Sequence, residues 1–366
     1  MRIVVLGGYG NFGARICRAL APDRSLTIVA SGRHTNAAPA DFSALGIATA
    51  AVDISSTHFY APLASLKPGL VIHCVGPFQG QDYRVAHAAL ACGAHYIDLS
   101  DGREFVAGFG AAVNDAAEKA NRLAVTGAST LPALSSAVVD ACLPRFSAIT
   151  SIDSIIAPAQ TASRRAVTLA GVLSYAGKPF SVWEQGAWHT GYGWQDVQKV
   201  DVGPVGSRLS AVCDVPDLAL FPARYAGVQN VRFRAALDVG VQHRAISLLA
   251  ALRRRGLTIA MDKLAPRLDA IANWLDPFGS NAGAMTLMMT GIDANGRPLR
   301  LRWHVHAPGN DGPEIPCMAA ILLARKLSAG SIDRVGAMPC MGLVALDEFT
   351  PEFVKWKMTT AIEELP

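Results

Sequence analysis

The sequence predicts an α/β protein in which an N-terminal, doubly wound parallel Rossmann sheet is joined to an inserted α+β domain built on an antiparallel sheet. Three observations carry this reading. A short apolar run leads straight into a glycine motif at the N-terminus, apolar runs then alternate with helical patterns, and beyond about residue 145 hairpin-joined strands replace the alternation.

Ile3-Val-Val-Leu6 is the continuous apolar run of a central strand buried on both faces. Gly8, Gly10 and Gly13 follow as G-x-G-x-x-G, with Gly7, Tyr9, Asn11 and Phe12 completing the loop. In that motif the first glycine permits a tight turn, the second lets backbone approach a pyrophosphate, and the third lets the next helix pack closely. From Ala14 the spacing of Ile16, Ala19 and Leu20 predicts that helix, whose N-terminal amides and dipole would face the phosphates.

A second strand, Leu26 to Ala30, ends in Ser31-Gly32-Arg33, with no acid between Ser25 and Asn36. An acid at this place binds the ribose 2′-hydroxyl of NAD, whereas an arginine neutralises a 2′-phosphate, so NADP is expected ahead of NAD. In this reading Gly32 gives a tight turn, and Arg33 as a plain solvated loop residue is the alternative. A third strand, Thr49 to Ile54, brings Asp53 and Ile54 to the cofactor site; Asp53 would accept from the adenine amino group or cap the next helix. The fourth strand, Leu70 to Val75, breaks at Gly76-Pro77, so Val75, Gly76 and Pro77 should border the nicotinamide ribose.

A helix from Asp82 to Cys92, a fifth strand from Tyr96 to Ser100, a helix from Glu104 to Asn121 and a sixth strand from Leu123 to Thr126 complete the pattern. Another helix opens at Leu131 and reaches Leu143. Thereafter come a strand at Ile149 to Ile156, a helix at Ala166 to Tyr175, an aromatic and glycine-rich stretch at Phe180 to Lys199, and a half-buried strand at Val228 to Leu237. Met285 to Ile292 and Leu299 to Val305 flank Asp293-Ala-Asn-Gly-Arg297, a hairpin loop. The division is therefore 1–145 for the dinucleotide domain, 146–308 for a substrate domain, and 309–366 for a helix at Glu314 to Leu327 with a tail packing back on the first domain.

At 366 residues, with 51% hydrophobic and 17% charged residues, the chain is long and apolar enough for two cored domains. A net charge of +4 is too mild for nucleic acid as a partner, and Arg253-Arg254-Arg255 beside Gly256 reads as a basic helix end. Seven scattered cysteines without C-x-x-C spacing suggest reduced thiols in a cytoplasmic protein and no metal site. No stretch reaches 18 apolar residues, and glycines and Arg15 interrupt the N-terminal run, so neither an integral membrane segment nor a cleaved signal peptide is expected. A small-molecule substrate is the expected partner, and a homodimer is one assembly the chain could form.

Val5-Leu-Gly-Gly-Tyr-Gly-Asn-Phe-Gly13, Val71-Ile-His-Cys-Val-Gly-Pro-Phe78, His95-Tyr-Ile-Asp-Leu99 and Gly309-Asn-Asp-Gly-Pro-Glu-Ile-Pro316, in that order, resemble the saccharopine dehydrogenase-like NADP-binding family. The middle region is similar to its poorly characterised bacterial branch through Gly193-Trp-Gln-Asp196, Val215-Pro-Asp-Leu218 and Phe221-Pro-Ala-Arg-Tyr225. The resemblance implies an NADP-dependent reductase of the kind that forms or cleaves a secondary amine between an amino acid and a keto compound. Characterised members carry Asp-Pro-Gly where this chain has Leu131-Pro132-Ala133, so an acidic side chain that the pattern implies near the nicotinamide is absent.

Hydride transfer needs an oriented nicotinamide and a group that gives or takes a proton. Asp98 and Tyr96, at the end of the fifth strand, are candidates on the rim where substrate should lie; a structural hydrogen bond from Asp98 to the adjoining loop is the alternative. Asp101 and Arg103 could clamp an ionic substrate, with helix capping as the other role for Asp101. His189, with Tyr192 and Trp194, falls in the aromatic stretch that could line a pocket. His304 and His306 point to one face of a strand without a third ligand, and Cys74 reads as a buried apolar residue. No G-x-S-x-G, Cys/His pairing or P-loop supports a hydrolase or kinase. The expected activity is NADP-dependent oxidoreduction of a small imine, keto compound, amino acid or enone. A non-catalytic NADP-binding sensor or scaffold is the second reading, and a membrane-associated reductase of a lipid-like substrate, suggested by the apolar Met285–Met289, the third.

Overall fold

The computed structural model describes residues 1–162, 173–257 and 261–366, which form two compact units. The first unit holds Met1–Leu134 and Glu314–Val344. Its chain runs β1 (Arg2–Leu6), α1 (Asn11–Leu20), β2 (Thr27–Gly32), β3 (Ala48–Ala51), α2 (Tyr60–Ser65), β4 (Leu70–His73), α3 (Arg84–Ala91), β5 (His95–Asp98), α4 (Arg103–Ala120) and β6 (Leu123–Thr126). Every residue of β1 from Ile3 to Leu6, and all of β4 and β6, is buried, as a sheet covered by helices on both faces requires. Ile16, Cys17 and Leu20 of α1 are fully enclosed; removing a side chain such as Leu20 from water is worth roughly 1.5–3 kcal/mol. Asn121 ends α4 in the left-handed conformation (φ 51°), a role in which asparagine is tolerated.

The second unit holds Ser135–Pro313 and Ala345–Pro366. It runs α5 (Ser135–Cys142), β7 (Ala148–Ala157), β8 (Pro179–Glu184), β9 (Ala187–Tyr192), β10 (Gln198–Asp201), β11 (Ser207–Val212), α6 (Asp217–Arg224), β12 (Asn230–Leu237), α7 (Gly240–Arg254), α8 (Met261–Trp274), β13 (Gly283–Ile292) and β14 (Pro298–Ala307). The chain then returns to the first unit with α9 (Ile315–Ser328) and β15 (Gly336–Pro339), and ends in the second with α10 (Leu346–Lys355) and β16 (Thr359–Leu365).

The first sheet is parallel throughout, in the order β15-β6-β5-β4-β1-β2-β3, so the six expected strands gain a seventh at the β6 edge. Helix α9 lies against α1, where Arg15 forms an ion pair with the buried Glu314. The second sheet runs β10-β11-β12-β7-β13-β14-β16, with the β8–β9 hairpin attached to β12. It is mixed rather than purely antiparallel, because β7 and β12 pair in parallel. The long stretch between these two strands supplies the crossover that a parallel pair needs.

Three local expectations are corrected. The helix after β6 opens at Ser135, not Leu131: Leu131 is extended (φ −122°, ψ 126°), since the residue before a proline avoids the helical region. Strands β3 and β4 end at Ala51 and His73, which leaves Asp53, Ile54 and Val75 on loops. Residues 359–365, read as tail, form β16 on β14, with Arg302 bonded to Glu363 across the pair. The helix expected at 166–175 lies, but for its last residues, outside the described residues. Among the described residues no helix is long and apolar enough to cross a membrane.

Candidate functional site

The loop from Gly7 to Gly13 joins β1 to α1 at the carboxyl end of the first sheet, where open α/β sheets take their ligands. Its glycines divide the work differently from the motif's usual reading. Gly7 is the residue with φ in the left-handed region (+75°), while a Cβ on Gly8 would lie 2.8 Å from that of Ala30 on β2. At Gly13 a Cβ would stand 2.3 Å from the Gly7 carbonyl oxygen, so only glycine lets α1 start this close to the loop. A Cβ on Gly10 would be 3.0 Å from the same oxygen and would otherwise project into open space. The first turn of α1 carries no acid, so its free amides and dipole favour an anion. Asn11 accepts a hydrogen bond from Arg15, and the Phe12 carbonyl is approached by the Cys317 thiol at 3.6 Å.

Tyr9 leaves this loop sideways and lies over the ends of β2 and β3, its hydroxyl donating toward the carbonyls of Ala30 (3.3 Å) and Ala50 (3.1 Å). Its ring covers Gly32, where a Cβ would come within 2.4 Å of Tyr9 Cδ2. Gly32 is therefore required by the tyrosine and not by a turn, for its φ is ordinary. Ser31 is buried and donates to the Val5 carbonyl, whereas Arg33 is exposed. Asp53 accepts from the Ser55 amide (3.0 Å) and hydroxyl (2.7 Å). Those bonds hold its carboxyl below the usual range, and the charges of Arg33 and His34 add to the effect. Asp53 thus closes a local turn, within reach of the Arg33 charge. Val75 packs on the phosphate loop, its Cγ2 standing 2.9 Å from a Cβ built on Gly7. Gln81 braces the Val75-Gly76-Pro77 loop by donating to the carbonyls of Val75 (2.8 Å) and Pro77 (2.7 Å).

Asp98 and Tyr96, the two strand-end candidates, are enclosed. Asp98 Oδ1 accepts from the Ser100 amide, the Gly127 amide and the Thr126 hydroxyl, each at 2.9 Å, so it clasps the ends of β5 and β6 together. Burial pushes its carboxyl up to about 6, against the pull of those donors. Tyr96 stacks on Phe109 with ring centroids 5.8 Å apart, and its hydroxyl lies 3.0 Å from His73 Nδ1. The His73 ring is buried, which drives it down to about 3 and keeps it neutral. His189 lies on β9, opposite Val182, and is exposed. Tyr96 and Asp98 thus share a buried network in one unit, while His189 sits on a surface strand of the other. Trp194 is a core residue, and Arg254 lies 3.9 Å over the Tyr192 ring. Asp101 accepts from Gln79, and all seven cysteines are free thiols.

The second unit contains an acid that motif reasoning did not single out. Asp217 begins α6 and is buried, with neither carboxylate oxygen in a hydrogen bond. Burial pushes it up to about 7. An acid directly after Val215-Pro216 in an apolar setting was the available sequence signal.

Residues 3–141 match the family described as the saccharopine dehydrogenase NADP binding domain. Saccharopine dehydrogenase (L-Glu forming) from Saccharomyces cerevisiae shares the fold over 100% of both chains, with a TM-score of 0.69 and 11% identity. The homospermidine synthase of Legionella pneumophila, solved with NAD, matches 100% of this chain and 91% of its own at TM-score 0.61 and 10% identity. An engineered D-amino acid dehydrogenase bound to NADP+ matches 97% of this chain and 98% of its own at 0.50 and 14%. No curated protein sequence matches the chain. Residues 3–141 thus match the saccharopine dehydrogenase NADP binding domain, and the chain as a whole shares the fold of saccharopine dehydrogenase.

Proposed function

We propose that the chain is an NADP-dependent oxidoreductase acting on a small amine-bearing or imine-forming molecule. The observation that carries the reading is the Gly7–Gly13 loop: a side chain at position 13 would strike the Gly7 carbonyl and push α1 away, and one at position 10 would project into the open space where a pyrophosphate would sit. In this reading the loop and the first turn of α1 hold the pyrophosphate, Arg33 meets the 2′-phosphate, and Val75-Gly76-Pro77 borders the nicotinamide ribose. NADPH, when bound, supplies a hydride. Asp98 is a positioning residue here, holding the ends of β5 and β6 in register beneath the cofactor. The amine class draws support from the likeness to structures named for saccharopine, homospermidine and D-amino acids.

One observation favours the sensor reading: Tyr96 and Asp98 are enclosed and engaged inside their own unit. The two readings part on a single measurement. NADPH oxidation is followed at saturating NADPH with keto acids plus primary amines, cyclic imines and enones, with Gly10→Ala as the control that loses the cofactor. Turnover with imine-forming pairs that vanishes in Gly10→Ala upholds the oxidoreductase; tight NADPH binding without turnover on any class leaves the sensor.

A further inference from the structure

Among the described residues of the second unit, one buried polar pair without hydrogen-bond partners lies where α5 and α6 begin. Asp217 is 2% exposed and Ser135 0%, and neither the two carboxylate oxygens nor the Ser135 hydroxyl has a hydrogen-bond partner. The Ser135 hydroxyl and the Asp217 amide lie near enough to pull the carboxyl part of the way back down, although neither makes a well-formed hydrogen bond to it, and Leu218 and Phe221 of α6 are buried apolar neighbours in the chain. A buried carboxylate without a donor is costly, and such groups call for an explanation. The cluster is also held firmly. Arg224 donates to Asp140 (2.5 Å) and the Tyr225 hydroxyl donates to Asp140 (3.0 Å), tying the end of α6 to α5, with the Ser136 carbonyl 3.3 Å from the same hydroxyl.

We propose that Asp217 and Ser135 form a recognition site for a primary ammonium group, the three acceptor oxygens matching its three N–H donors. This rests on the oxidoreductase reading and narrows it to ligands that carry a primary ammonium group. An ammonium satisfies both sides at once, since it returns a counter-charge to the carboxylate and a donor to each oxygen. A hydroxyl or a carboxylate does not. The two helix N-termini would favour an anion, but an anionic ligand would set its charge against Asp217. Burial holds the acid near pH 7, so exchanging its proton for a cation is within easy reach at neutral pH.

The test uses the full chain, with and without NADP, and three probes of one length: n-hexylammonium, hexan-1-ol and hexanoate. Hexylammonium should raise the thermal midpoint of the wild type while the other two do not. By calorimetry its affinity should fall about tenfold or more in Asp217→Asn and about threefold in Ser135→Ala. NADP affinity should be unchanged in both variants. Asp217→Asn without ligand should melt higher than the wild type, because it removes a buried acid that lacks a donor. Equal response to hexanol, or undiminished hexylammonium binding in Asp217→Asn, overturns the assignment; if that variant does not fold, undiminished binding in Ser135→Ala does. NADPH oxidation is scored separately. Ammonium-selective binding without turnover keeps this site and rejects the oxidoreductase, and turnover without such binding does the reverse.

Discussion

The Tyr9 ring rests on the Cα of Gly32, so close that any side chain there would overlap it. Through this contact the phosphate loop is fastened to the ends of β2 and β3, where the Tyr9 hydroxyl also bonds. Gly32→Ala should therefore displace the tyrosine and weaken NADP binding, by about tenfold if the ring shift carries the loop with it. Tyr9→Ala made in the Gly32→Ala background should cost less than it does alone, because the ring is already displaced there and its removal relieves the clash. A double-mutant cycle read by calorimetry decides this, and strictly additive losses would remove the coupling.

In the proposed reading, Arg33 selects the cofactor. Arg33→Ala should erase most of a preference for NADP over NAD of about tenfold, leaving NAD binding nearly unchanged. The Asp53 carboxylate is near enough for Arg33 to act on its charge, so Asp53→Asn should remove a negative charge close to a 2′-phosphate and strengthen NADP binding about two- to threefold, with the gain fading as salt is raised. If Arg33→Ala weakens both cofactors alike, Arg33 does not read the 2′-phosphate.

Asp98 gives a prediction in pH. Its carboxyl is raised from 3.8 to about 6 in the folded chain, so the native state holds a proton that the unfolded state has released. Stability from this group is complete below about pH 4 and is lost as pH rises through about 6, a change on the order of 3 kcal/mol. Denaturant unfolding of wild type and Asp98→Asn, compared from pH 4 to 7, should show that slope only in the wild type. Asp98→Leu should cost about 3 kcal/mol or more at any pH in the range, because the Ser100 and Gly127 amides lose their acceptor. Should Asp98→Asn also lower turnover about 100-fold with NADP binding and unfolding unchanged, Asp98 would take part in proton transfer and its positioning role would fail.

Much of the first unit was legible because its strands are covered on both faces and so appear as unbroken apolar runs, as in Ile3–Leu6 and Leu70–Ile72. The glycine spacing marked a loop between β1 and α1 but not the division of labour inside it, since left-handed backbone at Gly7 and contact with Ala30 at Gly8 depend on how β2 lies beside β1. Gly32 misled for the same reason: its partner Tyr9 is remote in sequence. Asp98 reads as a rim residue from its strand end, and only the closure of Thr126 and Gly127 over it makes it a buried clasp. In the second unit, β10 and β16 are largely polar and edge-placed, so neither leaves an apolar run to find.

The last strand, β16, borders β14, although α9, β15 and α10 intervene along the chain. On a ribosome β14 therefore emerges roughly fifty residues before the strand that covers its edge. During that interval its row of amides and carbonyls, from Arg300 to His306, is open to any extended segment of another chain. This sheet is complete only once β16 has emerged, and a chain cut before Thr359 would leave the β14 edge open for good.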